Sequence, residues 1–312
     1  MFFKTRLAAA VLLAASTVAD AQVLSIGSTK GGAVAQLSNA VSSAVSTKSE
    51  YQMRPQAMAG TQQYISGADL GRIEFGISNA MQYYMATSGT GMSEGTAHEN
   101  LRIVATLTPF VQGVIVAANS DIHSMADLKG KRVPAQYTAS PLFRTFWDGF
   151  LAGAGLSMND VVPVPVASLP KSWAAFKQGD LDAVIAAAGS AAVREMDATV
   201  SGGIRFISLD ENDVLLGWLP KTEIRSVDPA TGFNGILAPT NLHAYDTVLF
   251  ANKDVPENVV YAVAKALVDS EAELKASGPL WKGYQTARIA TDHGLNYHPG
   301  AMKLYKELDL AK

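Results

Sequence analysis

One βα unit decides the fold, and its sequence is Val23-Leu24-Ser25-Ile26-Gly27-Ser28-Thr29-Lys30-Gly31-Gly32. The apolar residues at its start predict a buried strand, and the two final glycines predict a turn. From Ala33 to Val45 the apolar residues recur at helical spacing, so the turn leads into a helix. Similar strand–turn–helix units follow along the chain. Strands that alternate with helices indicate an α/β fold with mainly parallel sheets.

These units form two series, which predict two lobes. The first series occupies residues 22–110 and the second occupies residues 111–246. The stretch from Thr222 to Tyr245 is expected to be irregular, and residues 247–251 predict one more strand after it. We therefore expect residues 247–312 to return to lobe I, whereas residues 111–246 form lobe II. Two α/β lobes joined by two crossovers enclose a ligand cleft that can open and close.

Prolines modify two of the predicted strands. Leu101–Leu107 and Gly113–Ala118 are predicted as separate strands, because Thr108 and Pro109 lie between them. Residues 161–166 contain two prolines, which lack the N–H that a central strand needs. We therefore expect residues 161–166 to form a strand at the edge of a sheet.

The composition excludes several classes of protein. The chain has 312 residues, of which 48% are hydrophobic and 17% are charged, so it can bury a substantial core and is not a disordered protein. With 25 basic and 28 acidic residues its net charge is −3, which disfavours a nucleic-acid-binding surface. The chain has no cysteine, which excludes disulfides, thiol catalysis and cysteine-ligated metals.

The N-terminus predicts export from the cytoplasm. Lys4 and Arg6 precede an apolar run from residue 7 to 15, and an A-x-A site ends at Ala21. This order is typical of a cleavable signal peptide over residues 1–21, and the apolar run is too short to span a bilayer. The alternative is an amphipathic first helix. A periplasmic location is the expectation.

Three strand ends predict a binding site for a carboxylate. They have the sequences Ser28-Thr29-Lys30-Gly31-Gly32, Ala59-Gly60-Thr61 and Ala188-Gly189-Ser190. Ligands of open α/β sheets bind at the carboxyl ends of strands, and helix N-termini offer N–H groups and a positive dipole to an anion. The alternative is that each segment only caps its helix.

Other chemistry has little support in the sequence. Neither a nucleotide-binding P-loop nor a dinucleotide fingerprint is present, and no G-x-S-x-G or H-E-x-x-H motif occurs. His293 and His298 favour a structural role at a turn over a metal site. We expect no catalytic residue, no metal and no cofactor. Arg144 and Lys171 are candidates to place a charge in the cleft, and Tyr137 is a candidate to line it, with loop packing as the alternative for Tyr137.

Five motifs resemble a known receptor family, the TAXI solute receptors of TRAP transporters. The opening Ile26-Gly27-Ser28-Thr29-x-Gly31-Gly32 is similar to the start of that family. The other similar segments are Ser124-x-x-Asp127-Leu128-Lys129-Gly130-Lys131-Arg132-Val133, Gly179-Asp180-Leu181-Asp182-Ala183, Val255-Pro256-Glu257-Asn258-Val259-Val260-Tyr261 and His298-Pro299-Gly300-Ala301. The resemblance covers nearly all of the chain after the signal peptide.

The resemblance implies a function in transport without enzymatic activity. It implies a type II periplasmic-binding fold and a small organic anion as ligand: a carboxylate, dicarboxylate, oxo-acid or acidic amino acid. We expect the chain to be a monomer. It also implies a TRAP membrane permease as partner, with fused small and large membrane subunits. The alternatives are a receptor for an ABC importer of similar fold and a periplasmic enzyme.

The resemblance also assigns ligand-binding positions. These are Ser28, Thr29, Gly31, Gly32, Gly60, Thr61, Ser78, Asn79, Ser140, Gly189 and Ser190. The sequence departs from the family at Ala33-Val34-Ala35, where an aromatic residue is usual, and at Tyr137, where the loop lacks its usual glycines. Lys30 adds a cation to the opening loop. We expect Lys30 and Tyr137 to contribute to the site, and we expect Lys30 to favour a second negative charge on the ligand.

Overall fold

The computed structural model describes residues 22–311, so the predicted signal peptide lies outside the described residues. The strands in this part of the chain are β1 (Val23–Thr29), β2 (Gln52–Met58), β3 (Phe75–Asn79), β4 (Leu101–Ala117), β5 (Arg132–Gln136), β6 (Val162–Val166), β7 (Ala183–Ala187), β8 (Ile204–Ile207), β9 (Glu223–Val227) and β10 (Thr240–Asn252). The helices are α1 (Gly32–Lys48), α2 (Thr61–Asp69), α3 (Ala80–Ser88), α4 (Leu142–Gly153), α5 (Leu169–Lys177), α6 (Ala191–Thr199), α7 (Asp213–Trp218), α8 (Glu257–Val268), α9 (Glu271–Ala276) and α10 (Pro299–Glu307).

The main sheet is mixed rather than mainly parallel. Its strands follow the order β2-β1-β3-β10-β4-β7, with β8 beside β4 and β9 beside β10. The pairs β1–β2 and β1–β3 are parallel, as the βα units predict, and so is the separate pair β5–β6. Every pair that includes β4 or β10 is antiparallel. The parallel part is therefore smaller than expected, because two long strands cross the middle of the sheet in opposite directions.

The prediction that Pro109 separates two strands is wrong. Strand β4 continues for 17 residues from lobe I, where it pairs with β10, into lobe II, where it pairs with β7 and β8. Pro109 lies opposite Asp246, directly before an irregularity in the register of the β4–β10 ladder. A proline is tolerated beside such a bulge, because its missing N–H interrupts no regular pairing there.

The prediction that residues 222–245 are irregular is also wrong. Strand β9 lies inside this stretch, and β10 begins at Thr240, seven residues before the strand that was expected. β10 pairs with β9 in lobe II and with β3 in lobe I, so it is the second crossover. The division of the chain into lobe I (22–110 and 247–312) and lobe II (111–246) stays a prediction. The prolines of β6 lie in a two-stranded sheet with β5, as expected of an edge strand.

Close packing explains the glycine at the centre of the opening unit. A Cβ at Gly27 would lie 2.4 Å from the ring of Tyr64, and one at Gly76 would lie 2.5 Å from the ring of Phe250. Tyr64 is fully buried, and its hydroxyl donates a hydrogen bond to the carbonyl of Ile77. The ring of Tyr64, on helix α2, thus packs directly against the sheet. It fits there only because Gly27 of β1 and Gly76 of β3 have no side chain. This packing places the N-terminus of α2 beside the end of β1.

In the described part of the chain, no helix has both the length and the hydropathy that crossing a membrane requires.

Candidate functional site

A cavity of about 310 Å³ lies between the two lobes. Its wall includes residues at or next to the N-termini of helices α1 to α6, which follow strands or loops of both lobes. Crossover strands β4 and β10 supply the remaining wall through Phe110, Gln112, Tyr245 and Thr247. The chain therefore directs the positive ends of several helix dipoles toward one enclosed space.

Helices α1 and α2 supply backbone donors from lobe I. Their N-cap residues, Gly31 and Gly60, have extended backbones and no side chain that could accept from the first turn. The hydroxyl of Thr29 donates to the Gly31 carbonyl at 2.8 Å, which folds the β1–α1 loop back on itself. In α2 the N–H of Gln63 donates to the Gly60 carbonyl at 3.2 Å. The other N–H groups of the two first turns are available to an anion.

Helix α5 offers a similar end from lobe II. It follows Ser168, whose side chain makes no capping hydrogen bond, and it carries Lys171 in its first turn. Helix α6 differs, because the Ser190 hydroxyl accepts a hydrogen bond from Val193 N at 3.3 Å and so caps that helix. Lys30 and Lys171 line the cavity, are exposed to solvent, and have no carboxylate within 4 Å among residues 22–311. No aspartate or glutamate lines the cavity in the described chain, so the site favours an anion.

The two lobes touch across the mouth of the cavity. A Cβ at Gly60 would lie 2.5 Å from the carbonyl oxygen of Ala139, and the Ser140 hydroxyl donates to the carbonyl of Ala59 at 3.4 Å. Trp173 approaches from lobe II as well, and its Cη2 would lie 3.4 Å from a Cβ at Gly32. These contacts join lobe I loops to lobe II loops, so the cleft is closed in this structure.

Aromatic rings cover much of the cavity wall. Phe110 and Tyr245, on neighbouring crossover strands, have ring centroids 5.1 Å apart and planes 18° apart. Phe146 of α4 continues this stack, with its centroid 6.2 Å from that of Tyr245. Phe143 and Trp173 add two half-buried rings from lobe II. Much of the cavity wall is therefore apolar.

A buried polar group lies behind the aromatic wall. The Tyr245 hydroxyl donates to Gln112 Oε1 at 3.3 Å, and Gln112 Nε2 donates to His243 Nδ1 at 3.2 Å. Burial lowers the pKa of His243 to about 3, because the ring is enclosed by Phe146, Phe150 and Tyr245. Burial also raises the pKa of the Tyr245 hydroxyl well above its ordinary value. The group is thus neutral at physiological pH, and it adds no charge to the cavity.

The structure brings nine of the predicted ligand-binding residues to the cavity. They are Thr29, Lys30, Gly31, Gly32, Gly60, Thr61, Asn79, Ser140 and Ser190. Asn79 also caps α3, because its Oδ1 accepts from Gln82 N at 2.6 Å. That these residues bind a ligand stays a prediction. The sequence motifs on which it rests lie around one cavity.

Four predicted residues lie elsewhere. Ser28 and Ser78 are buried in strands β1 and β3 behind the wall. Gly189 has a φ of 77° and would place a Cβ 2.7 Å from the ring of Phe233, so it serves the turn before α6. Tyr137 is fully buried in lobe II, where its hydroxyl accepts from Trp147 Nε1 at 3.3 Å. For Tyr137 the structure matches the alternative of loop packing.

Three cations were considered for the cleft, and Lys30 and Lys171 line the cavity whereas Arg144 does not. Arg144 forms an ion pair with Asp148 one turn further along α4, at 2.9 Å.

Sequence reasoning missed most of the wall, in particular Gln82, Phe110, Gln112, Phe143, Phe146, Trp173, Tyr245 and Thr247. Four of these lie on β4 and β10 near the middle of the crossovers. Continuous strands through Pro109 and through residues 240–246 would have indicated them, because alternate residues of a crossover face the cleft.

Comparisons with known proteins agree with this architecture. A model described as the NMT1-like family matches residues 27–308. A solved periplasmic transporter has a TM-score of 0.62 at 14% identity, over 93% of this chain and 94% of that one. A protein from Bordetella bronchiseptica has a TM-score of 0.55 at 15% identity, over 93% and 98%. The alkanesulfonate-binding protein SsuA of Xanthomonas axonopodis pv. citri, bound to MOPS, has a TM-score of 0.51 at 20% identity, over 93% and 84%. The expected two-lobe periplasmic-binding fold is confirmed.

Proposed function

The chain belongs to the NMT1-like family, and we propose that it is a periplasmic solute-binding protein that captures a small organic anion by closure of its cleft and delivers it to a membrane importer. The observation that carries the proposal is the lining of the cavity between the lobes. Two lysines and several helix N-termini line it, and no carboxylate of residues 22–311 does. Binding and release are the whole cycle, and no chemical step is part of it.

Closure is the mechanism that the geometry supports. In an open cleft, the anion meets the first-turn N–H groups of α1 and α2. Lobe II then adds the N-terminus of α5 and the ring of Trp173. Because these contacts exist only when the lobes meet, the ligand stabilises the closed state by its differential affinity. The importer then recognises the closed form.

The sequence resemblance implied a TRAP permease, with an ABC importer as the alternative, and this alternative now has the better support. The matching family model carries the NMT1-like description rather than that of the TAXI receptors. One protein with a similar structure binds an alkanesulfonate, which lies outside the carboxylates implied by the TAXI resemblance. A TRAP permease is the second candidate, supported by the motif at residues 298–301. We propose that residues 1–21 export the chain, as their charged and apolar segments indicate.

Thermal unfolding with a panel of compounds tests the proposal. Residues 22–312 are unfolded, refolded to remove any ligand, and mixed with 3-phenylpropionate, 2-phenylethane-1-sulfonate and the neutral 3-phenylpropionamide. A ligand at about 100 times its Kd adds about 2.7 kcal/mol to the free energy of unfolding, which raises Tm by roughly 2–4 °C. We expect the anions to raise Tm and the amide to leave it unchanged. The relative effect of the two acids identifies the head group.

Removal of the two lysine charges from the cavity is the control for this experiment. The double variant Lys30→Gln/Lys171→Gln loses two exposed cations, each worth about 0.2–1 kcal/mol, so we expect affinity for the anion to fall about two- to thirtyfold. Lys253→Gln removes an exposed lysine that is outside the cavity and serves as the matched variant. Equal binding of acid and amide, or equal effects of the two lysine changes, would contradict anion capture.

A further inference from the structure

We infer that the anion bound in this cleft is an aromatic acid without an ammonium group, rather than an amino acid or a dicarboxylate. This inference rests on the proposed function and narrows its ligand class. It follows from the distribution of charge and apolar surface in the cavity, which differs from what a zwitterionic or doubly charged ligand needs.

An amino acid would leave its ammonium group without a carboxylate partner, with uncharged acceptors such as Gln82 Oε1 in its place. In receptors for zwitterions a carboxylate balances that charge, but no aspartate or glutamate lines this cavity in the described chain. The two charged groups in the wall are Lys30 and Lys171, which repel a second cation. Burying an ammonium without a charged partner is costly, so the α-amino group weakens binding.

A second carboxylate would meet a mostly apolar surface. The wall includes the stacked rings of Phe110, Tyr245 and Phe146 and the rings of Phe143 and Trp173. The polar side chains beside these rings, Gln82, Gln112 and Thr247, are uncharged. Lys30 and Lys171 lie at the solvent-exposed side, so neither lysine is buried behind these rings. The earlier expectation that Lys30 favours a doubly charged ligand therefore does not agree with the apolar wall.

The polar atoms of the aromatic wall are already used. Trp173 Nε1 donates to the Ile185 carbonyl at 2.9 Å, and the Tyr245 hydroxyl donates to Gln112. Both rings thus present carbon atoms and π-faces to the cavity. A flat aromatic ligand gains contact area and offset stacking against such a wall, beyond what a flexible chain of the same acid gains.

Matched pairs of acids test the inference by calorimetry. The probes are 3-phenylpropionate, L-phenylalanine, which adds only the α-ammonium, succinate, which replaces the ring by a second carboxylate, and nonanoate, which replaces the ring by a chain of the same carbon number. We expect 3-phenylpropionate to bind at least about tenfold more tightly than each of the others. A tenfold ratio corresponds to about 1.4 kcal/mol.

A variant that places a carboxylate in the cavity provides the second arm. Asn79→Asp keeps an acceptor for Gln82 N, so α3 keeps its cap, and it adds a negative charge to the wall. We expect the ratio of phenylpropionate to phenylalanine affinity to fall about tenfold. Asn212→Asp makes the same change at the cap of α7, outside the cavity, and should leave the ratio unchanged.

The outcomes separate this inference from the proposed function. Tighter binding of phenylalanine, succinate or nonanoate than of 3-phenylpropionate would overturn the aromatic-acid assignment while an anion receptor stands. An unchanged ratio in Asn79→Asp would also overturn it. Binding of none of the four acids would overturn both statements.

Discussion

Replacement of Gly60 by alanine tests whether closure of the cleft produces the affinity. The new Cβ would lie 2.5 Å from the Ala139 carbonyl oxygen, about 0.5 Å inside the 3.0 Å limit that real Cβ contacts respect. The obstacle is a backbone atom of the other lobe, which cannot rotate away as a flexible side chain can. Gly60 has a φ of −161°, so alanine adopts the same backbone without strain. The collision therefore exists only when the lobes meet.

Overpacking of this kind costs about 1–3 kcal/mol, which corresponds to an affinity about 5- to 150-fold weaker. The assay is calorimetric titration of 3-phenylpropionate, with the Tm of the ligand-free protein measured in parallel. We expect Gly60→Ala to weaken binding by this factor and to change Tm of the ligand-free protein only slightly, because an open cleft accommodates the methyl group.

Gly31→Ala is the matched control. Gly31 is the N-cap of the neighbouring helix, also has an extended backbone, and has no atom within 4 Å of the Cβ that alanine would add. Both variants carry the same loss of cap preference. If Gly60→Ala bound the acid as tightly as Gly31→Ala, the reasoning that links lobe contact to affinity would be refuted.

Two other predictions concern stability. The pKa of His243 is about 3 in the folded chain, against an ordinary value of 6.5. Between these values the unfolded chain binds more protons than the folded chain. The free energy of unfolding should therefore fall as pH drops from 6.5 toward 3, by up to about 1.4 kcal/mol per pH unit. Urea titrations across this range should show a smaller pH dependence in His243→Gln, and identical slopes would argue against a buried neutral ring. Gly300→Ala would place a Cβ 2.2 Å from the Glu257 carbonyl, where α10 packs on α8, and should lower the free energy of unfolding by about 1–3 kcal/mol. Its affinity for 3-phenylpropionate should stay at the wild-type value, because neither residue lines the cavity; a large loss of affinity with normal stability would contradict this role.

The sequence predicted the parts of the site that depend on local backbone chemistry. Gly31, Gly60 and Ser190 precede helices at the ends of strands, and a glycine or serine at a helix start is a local pattern that needs no knowledge of the partner lobe. The same kind of pattern assigned Tyr137 to the cleft without support from its neighbours. Its position depends on Trp147, ten residues further along the chain, and the ring is buried in lobe II instead.

The crossover strands show where local patterns fail. Pro109 was interpreted as a strand end, because a proline interrupts regular pairing in most sheets. It is tolerated in β4 because the facing strand β10 has an irregular register there, and that register is a property of two segments more than 130 residues apart. The aromatic residues Phe110 and Tyr245 lie next to this irregularity, so the same long-range pairing places them in the cavity.

The first βα units with their glycine turns, the α/β class and the donor-rich helix ends were therefore determined by the sequence alone, since each depends on residues within one turn or strand of each other. Only the tertiary structure decided that β4 and β10 cross between the lobes, that Gly60 meets Ala139, and that an aromatic wall faces the helix ends. Those features depend on how two sheets and their helices pack, and packing joins residues whose separation along the chain carries no local pattern.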